Sequence, residues 1–273
     1  MSGFSSEWLS LRRKADRRAR NKDVMKRFCS WVLDHSPDEA PLKLIDIAAG
    51  TGSFILDLAE HIGPDREQHW LLIDNDPELL KVAENTPSPF PNTKKRTDLC
   101  ELTDVGALKI LEGHHGVVTS AFLDLVSAYW LDSFVARMRQ LKLPFLAGLS
   151  YNGILLSQPS HPTDRLIQRA FNQHQATDKG FGSALGPLSG FHAQERLIKA
   201  GYSCFTGRSD WKCGPEEEAL QLELLAGWAM AAREIGVTDS IVDDWLGYRK
   251  ITVERGHSHL QVGHVDIVGL PPQ

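Results

Sequence analysis

The residues of this chain best suited to chemistry fall in three places. In F-N-Q-H-Q-A-T-D-K-G-F-G, His174 and Asp178 stand four residues apart, so on one helix face the carboxylate can orient the imidazole as a general base. Gln175, Lys179 and Phe181 lie beside them, at the start of a glycine-rich stretch from Asp178 to Pro187 that can close over a bound molecule. The second place is Asp46 followed by Ala48-Ala49-Gly50-Thr51-Gly52, where the glycines admit positive φ and let the backbone approach a ligand closely. The third is Asp74, 22 residues beyond Gly52, the distance at which a carboxylate can accept the hydroxyls of a ribose. His257, His259, His264 and Asp266 also invite a metal reading, since alternate residues of an extended segment share a face. Ligand-type residues are common on strands, and the expectation is no metal.

These groups need elements to position them. Leu42, Leu44, Ile45 and Ile47 form the near-continuous apolar run of a central parallel strand buried on both faces, and the small-residue turn sits at its end. Ile55, Leu56, Leu58 and Ala59 recur at helical spacing behind the turn, with Thr51 or Ser53 as cap. The alternation continues as strand 69–74, helix 77–85, strand 93–97, helix 103–111, strand 116–120, helix 123–140 and strand 144–150. It implies an α/β fold: a doubly wound, mostly parallel sheet with helices on both faces, binding ligands beyond the carboxyl ends of its strands. Asp124, Trp130 and Tyr151 then lie just past the fourth and fifth strands, where a second small molecule would sit.

Further on, Tyr151-Asn152-Gly153 reads as a turn and 154–156 as a short strand. A helix over 162–175 carries His174, and helix 191–200, strand 202–208, helices 216–235 and 238–255 and strand 260–268 complete the chain. Residues 5–35 read as one basic helix on which Arg12, Asp16 and Arg20 share a face, and Asp38 to Pro41 links it to the first strand.

What the turn holds can be narrowed. A dinucleotide fingerprint needs a small residue where Ile55 stands, and no Gly-Lys-Ser/Thr triplet follows for a Walker loop. D-I-A-A-G-T-G, Asp46 to Gly52, resembles the first motif of class I S-adenosylmethionine-dependent methyltransferases, with Ala48 where that family usually has its first glycine. Three later segments stand in register with it: the strand ending at Asp74-Asn75, Thr97-Asp98-Leu99, and the strand running into Ser120-Ala121. The resemblance implies a seven-stranded sheet whose last two strands are antiparallel, with S-adenosyl-L-methionine as cofactor and S-adenosyl-L-homocysteine as product. It implies that Asp46, Ala48, Ala49, Gly50, Thr51 and Gly52 cradle the cofactor, that Asp74 and Asn75 hold its ribose, and that Asp98 and Leu99 meet its adenine. Ser120 and Ala121 would lie beneath the methionine part, and Arg20 would pair with the methionine carboxylate. It further implies an N-terminal helical lid over residues 1–38 and a catalytic domain over 39–273; the insertion of about 157–190 and the helices within 215–255, where the chain departs from the family's minimal fold, are expected to cover the acceptor.

Composition bounds the rest. A chain of 273 residues with 42% hydrophobic and 24% charged residues has the balance of an ordinary globular domain. The net charge of −5 disfavours a polyanion partner, and four cysteines without a C-x-x-C pair fit a reducing cytoplasmic setting. No apolar run reaches the length of a membrane span. The expected function is methyl transfer to a small-molecule acceptor. The alternatives are an RNA methyltransferase whose basic helix, residues 12–27, tracks phosphates, and a protein that binds the cofactor without transferring its methyl group.

Overall fold

The computed structural model describes residues 5–37 and 39–272; the first four residues of the expected lid, Asp38 at the start of the expected linker, and Gln273 lie outside the described residues. One sheet has the order β3-β2-β1-β4-β5-β8-β6. Its strands are β1 (Leu42–Ile47), β2 (Gln68–Asp74), β3 (Thr93–Leu99), β4 (Gly116–Ser120), β5 (Phe145–Gln158), β6 (Ser203–Arg208), β7 (Trp211–Cys213) and β8 (His259–Leu270). β1 to β5 are parallel, β8 runs antiparallel between β5 and β6, and β7 pairs with the first part of β8. β1, β2 and β4 are apolar and buried on both faces because helices cover both.

On one face α2 (Lys22–Asp34) and α3 (Ser53–Ile62) bury Phe28, Val32, Phe54 and Leu58 against Leu44, Leu72, Val118 and Leu146. On the other, α5 (Ala128–Leu141) and α7 (Ser189–Lys199) pack Trp130, Phe134 and Leu197 on Ile45, Val117 and Ile267. A third core lies past the carboxyl edge, where α6 (Asp164–Gln175), α8 (Glu218–Glu234) and α9 (Asp239–Glu254) sit on β7 and the far halves of β5 and β8. α1 (Ser6–Ala19) joins that third core through Ala15, Trp8 and Leu11. α4 (Pro77–Asn85) begins at Asp76, whose side chain accepts from the N–H groups of Glu78 and Leu79, with Pro77 in the first turn.

The expected elements are found, with five corrections. The single helix over 5–35 is two, because Asn21 caps α2 through a bond from the Val24 N–H and throws Arg20 into an extended conformation. The segment 103–111 is a 3-10 turn, Val105–Leu111, behind an Asp104 cap. The fourth helix starts at Ala128 instead of 123, capped by Ser127, so 121–127 is free to form a loop over the site. Tyr151-Asn152-Gly153 is a bulge within the continuous strand β5, where Asn152 accepts from the Ile154 N–H and Gly153 takes φ 87°. Among the described residues eight strands form where seven were expected, β7 being the addition.

Gly52 has little room for a side chain. It caps α3 at φ +70°, and a Cβ there would lie 2.6 Å from Leu72 Cδ2 and 3.4 Å from the Cβ of Ala83. Gly52→Ala is expected to cost about 1–3 kcal/mol, from left-handed strain and overpacking together. A denaturant midpoint equal to that of the wild type would show that the turn relaxes without cost.

Candidate functional site

Three adjacent central strands end in strained backbone. Ala48 after β1, Ala121 after β4 and Leu149 in β5 adopt φ of 52°, 53° and 53°, a region that residues with a Cβ seldom occupy. Such outliers persist only where the surroundings hold them, and they cluster at ligand sites. The holding bonds are present: Ala121 N–H donates to the Gly148 carbonyl at 2.9 Å, and Leu149 N–H to Asp266 Oδ1 at 2.7 Å. After β1, Ala49 N–H donates to the Ile73 carbonyl and Gly52 N–H to the Ala49 carbonyl, each at 2.9 Å, which folds the turn back toward β2.

Asp74, at the end of β2, meets that turn. Its Oδ2 accepts from Gly50 N–H at 2.7 Å and its Oδ1 from Asp76 N–H at 3.0 Å. Burial raises its pKa, and these N–H groups oppose the rise. Asn75 donates to Glu101 at 3.3 Å beside it, and Asp98 and Leu99 are exposed at the end of β3, Leu99 by 61%. The structure thus brings Gly50, Asp74, Asn75, Asp98 and Leu99 to one edge.

Asp46 lies deeper. It is 1% exposed, and neither carboxylate oxygen has a protein partner. Burial pushes its pKa up to about 8, the Arg20 charge pulls against that, and the Asp74 charge adds to it. Arg20 is buried too: its Nε bonds Asp57 Oδ2 at 2.8 Å, its Nη1 bonds Ser120 Oγ at 3.0 Å, and its guanidinium lies 4.1 Å over the Phe54 ring. The expected neighbours Arg20 and Ser120 are therefore in direct contact. Asp57, which fixes Arg20 from α3, carries no signal in the sequence that separates it from an ordinary helix carboxylate.

The corner between α1 and α2 aims Arg20. Asn21 N–H donates to Asp266 Oδ2 at 2.7 Å, and Asn21 Nδ2 donates to the Arg208 carbonyl at 3.2 Å. The side chain packs so closely on Gly207 that a Cβ there would lie 2.3 Å from Asn21 Nδ2. α1 then crosses the carboxyl edge and places Leu9 Cδ1 3.0 Å from where a Gly50 Cβ would be. Arg17 pairs with Glu60 and Asp57, and Arg18 with Glu217, which ties α1 to α3 and to the segment before α8.

The candidates for the acceptor side are rearranged. His174 and Asp178 do not form a dyad: His174 Nε2 meets Glu234 of α8 at 2.8 Å, while Asp178 Oδ1 accepts from Gly180 and Gly182 N–H at 2.7 and 3.0 Å. The helix ends at Gln175, so the i, i+4 relation is broken and Asp178 shapes the glycine turn instead. Lys179 bonds Thr177 at 3.1 Å and His174 Nδ1 at 3.5 Å. Phe181 docks edge-on against Phe122 and Trp130, and Trp130 is fully buried with its Nε1 on the Leu102 carbonyl, so both aromatics pack the core. That docking closes the glycine-rich loop on the segment after β4, where Leu185 N–H donates to the Val126 carbonyl and Gly186 N–H to the Asp124 carbonyl. Gln175 sits at the same junction through its backbone, the Gln175 carbonyl facing Gly186.

Tyr151 and Asp124 remain near each other, and Asp124 is buried with its pKa pushed up by burial to about 6. Of the set read for metal, Asp266 is the backbone clamp just described and His264 is buried against Trp211. Among the described residues no cluster of three His, Cys, Asp or Glu is placed to hold a metal ion.

No family model matches this sequence, and no curated relative does. Solved structures do match in shape. A cyclopropane-fatty-acyl-phospholipid synthase-like protein from Lactobacillus casei is 12% identical over 94% of this chain and 98% of its own, with a TM-score of 0.51. A cyclopropane synthase from Mycobacterium tuberculosis is 11% identical over 93% of this chain and 97% of its own, with a TM-score of 0.44. With its strand order, the chain has the Rossmann-like fold of the class I methyltransferases.

Proposed function

We propose that the chain binds S-adenosyl-L-methionine and transfers its methyl group to a small-molecule acceptor, releasing S-adenosyl-L-homocysteine. The observation that carries this reading is the joining of the Gly50 turn to the Asp74 carboxylate at the carboxyl ends of β1 and β2, next to the switch point of the sheet between β1 and β4. The residues present fit the cofactor. Each Asp74 oxygen keeps a second lone pair for a ribose hydroxyl, and the two unmet oxygens of Asp46 call for donors or positive charge. Exposed Leu99 beside Asp98 offers an apolar surface for adenine, and Ser120, Ala121 and Arg20 would face the methionine end. When bound, the cofactor supplies a methyl group made electrophilic by a sulfonium. α1 is the lid of this site, and the docked glycine-rich loop with α6, α8 and α9 covers the acceptor side.

A small molecule is favoured over RNA by the fate of the basic helix. Arg12, Arg17, Arg18 and Arg20 are each paired with a carboxylate within the protein, which withdraws them from a phosphate track along residues 12–27. Among the described residues no helix is long and apolar enough to cross a membrane.

Calorimetry tests the reading. S-adenosyl-L-homocysteine is expected to bind, and Asp74→Ala to weaken it by about 1–3 kcal/mol through loss of a charge-assisted acceptor. Wild-type affinity in that variant would remove Asp74 from the site, and no binding to the wild type would remove the proposal.

A further inference from the structure

Beneath α1, beside the end of β4, lies a cluster of buried polar groups that the cofactor reading does not use. Arg12 lies 5.4 Å over the ring of Trp211, Trp211 is 4.8 Å from His264, and His264 stands opposite Tyr151 where β8 pairs with β5. Trp8 meets Trp211 edge-on at 6.4 Å. Asp124 reaches the same place, close enough for its charge to act on Tyr151 and for Arg12 and Lys179 to act on it. Asp16, from α1, binds Arg12 Nε through its Oδ2 at 3.0 Å.

The unmet atoms define what would fit. Asp16 Oδ1, Asp124 Oδ1, Trp8 Nε1, Trp211 Nε1 and His264 Nδ1 are buried without a protein hydrogen-bond partner. Native interiors leave few such atoms, and five together point to a ligand that completes them. The two carboxylate oxygens are acceptors, the two indole N–H groups are donors, and the imidazole nitrogen serves as either according to its tautomer. A hydroxyl group answers both kinds, because it donates to a carboxylate and accepts from an indole N–H. The charges balance one to one, Arg12 and Lys179 against Asp16 and Asp124, so neither an anion nor a cation gains a net counter-charge. The rings of Trp8, Trp211 and Tyr151 lie about these atoms and suit a planar partner.

We propose, resting on the methyltransferase reading, that this cluster is the acceptor site and takes a neutral aromatic molecule bearing hydroxyl groups, with Asp124 as the proton acceptor for the hydroxyl that is methylated. In that step the hydroxyl oxygen forms the new bond to the methyl carbon and its proton passes to Asp124 Oδ1. The electron pair of the broken carbon–sulfur bond stays on sulfur, cancelling the sulfonium charge. The neighbouring groups are poor alternatives as base. The Tyr151 hydroxyl is held neutral by burial and donates to Asn172 Oδ1 at 2.7 Å, and His264 has its pKa lowered to about 4 by burial and by Arg12. Asp210, the other acid beside His264, is paired with Arg208.

The test is a tryptophan-fluorescence titration of the full chain in the presence of S-adenosyl-L-homocysteine. The probes are three dihydroxybenzenes (catechol, resorcinol and hydroquinone), with benzoate and benzylammonium as the charged counterparts. At least one dihydroxybenzene is expected to bind roughly tenfold tighter than either charged probe. Asp124→Asn and Asp16→Asn, which keep side-chain shape, should each weaken that probe by about tenfold while leaving homocysteine-cofactor affinity near wild type. Charged probes binding as well as the neutral ones, or both variants binding the probe like the wild type, would overturn the assignment. Normal cofactor affinity with no dihydroxybenzene binding would overturn it while leaving the methyltransferase reading intact. Absence of cofactor binding to the wild type would instead sink that reading, and this proposal with it.

Discussion

Binding of S-adenosyl-L-homocysteine at pH 7 is expected to release protons, and its affinity is expected to rise about tenfold per pH unit between pH 5.5 and 7. The source is Asp46. With its pKa at about 8, the carboxyl holds its proton in the cofactor-free chain at neutral pH, because burial penalises the anion more than the Arg20 charge relieves it. A cationic methionine end brought against the two unmet oxygens would favour the anion, so the proton must leave as the ligand enters, and raising the pH makes that loss easier. Asp74, also shifted upward by burial, contributes in the same direction. Stability of the free chain runs with the opposite sign. An acid whose folded pKa is raised begins to cost stability as pH climbs past its ordinary value, when the unfolded chain ionises first, and the cost levels off above about pH 8. Calorimetry in buffers of different ionisation heat measures the protons released. Equal heats in every buffer would detach Asp46 from the binding step, and Asp46→Asn should lose its share of the release.

How much of this was legible in the sequence follows from where each residue's partners lie. The turn from Ala48 to Gly52 and the acid Asp74 were readable because strand, turn and helix are contiguous, so spacing along the chain is spacing in space. The positions of the first five strands along the chain were readable from the alternation of apolar runs and helical spacing. The His174–Asp178 dyad failed because it assumed one more helical turn; the helix stops at Gln175, and a carboxylate before two glycines satisfies their N–H groups first. Trp130 and Phe181 were read as acceptor contacts, yet pack the core, since periodicity cannot say which face of an aromatic is buried. Arg12 and Asp16 were visible as an i, i+4 pair, but their meeting with Trp211 and Asp124 depends on how α1 lies across the sheet. Trp211 gave no signal at all, because β7 is three residues long.

Asp266 shows the same limit and supports the largest expected loss of stability. In the sequence it is one acid in a histidine-rich strand. In the fold it is 1% exposed and accepts two backbone N–H bonds of 2.7 Å, from Asn21 at the corner between α1 and α2 and from Leu149 in the strained bulge of β5. Neither N–H has another acceptor in the sheet or helix ladders beside it, since Asn21 is the cap of α2 and Leu149 falls where the β5–β8 register shifts. Asp266→Ala would leave both unsatisfied in an apolar setting, at a cost of about 3–5 kcal/mol. Asp266→Asn should cost less, roughly 1–2 kcal/mol, because the amide keeps one acceptor oxygen for these N–H groups. The consequence reaches the site through Arg20, so the alanine variant should also show faster hydrogen exchange along α1 and weaker cofactor binding than its residual folded fraction explains. Chemical denaturation and exchange measured together decide it. A wild-type midpoint would mean that the two N–H groups find other partners, and a lowered midpoint with unchanged exchange in α1 would confine the clamp to β5.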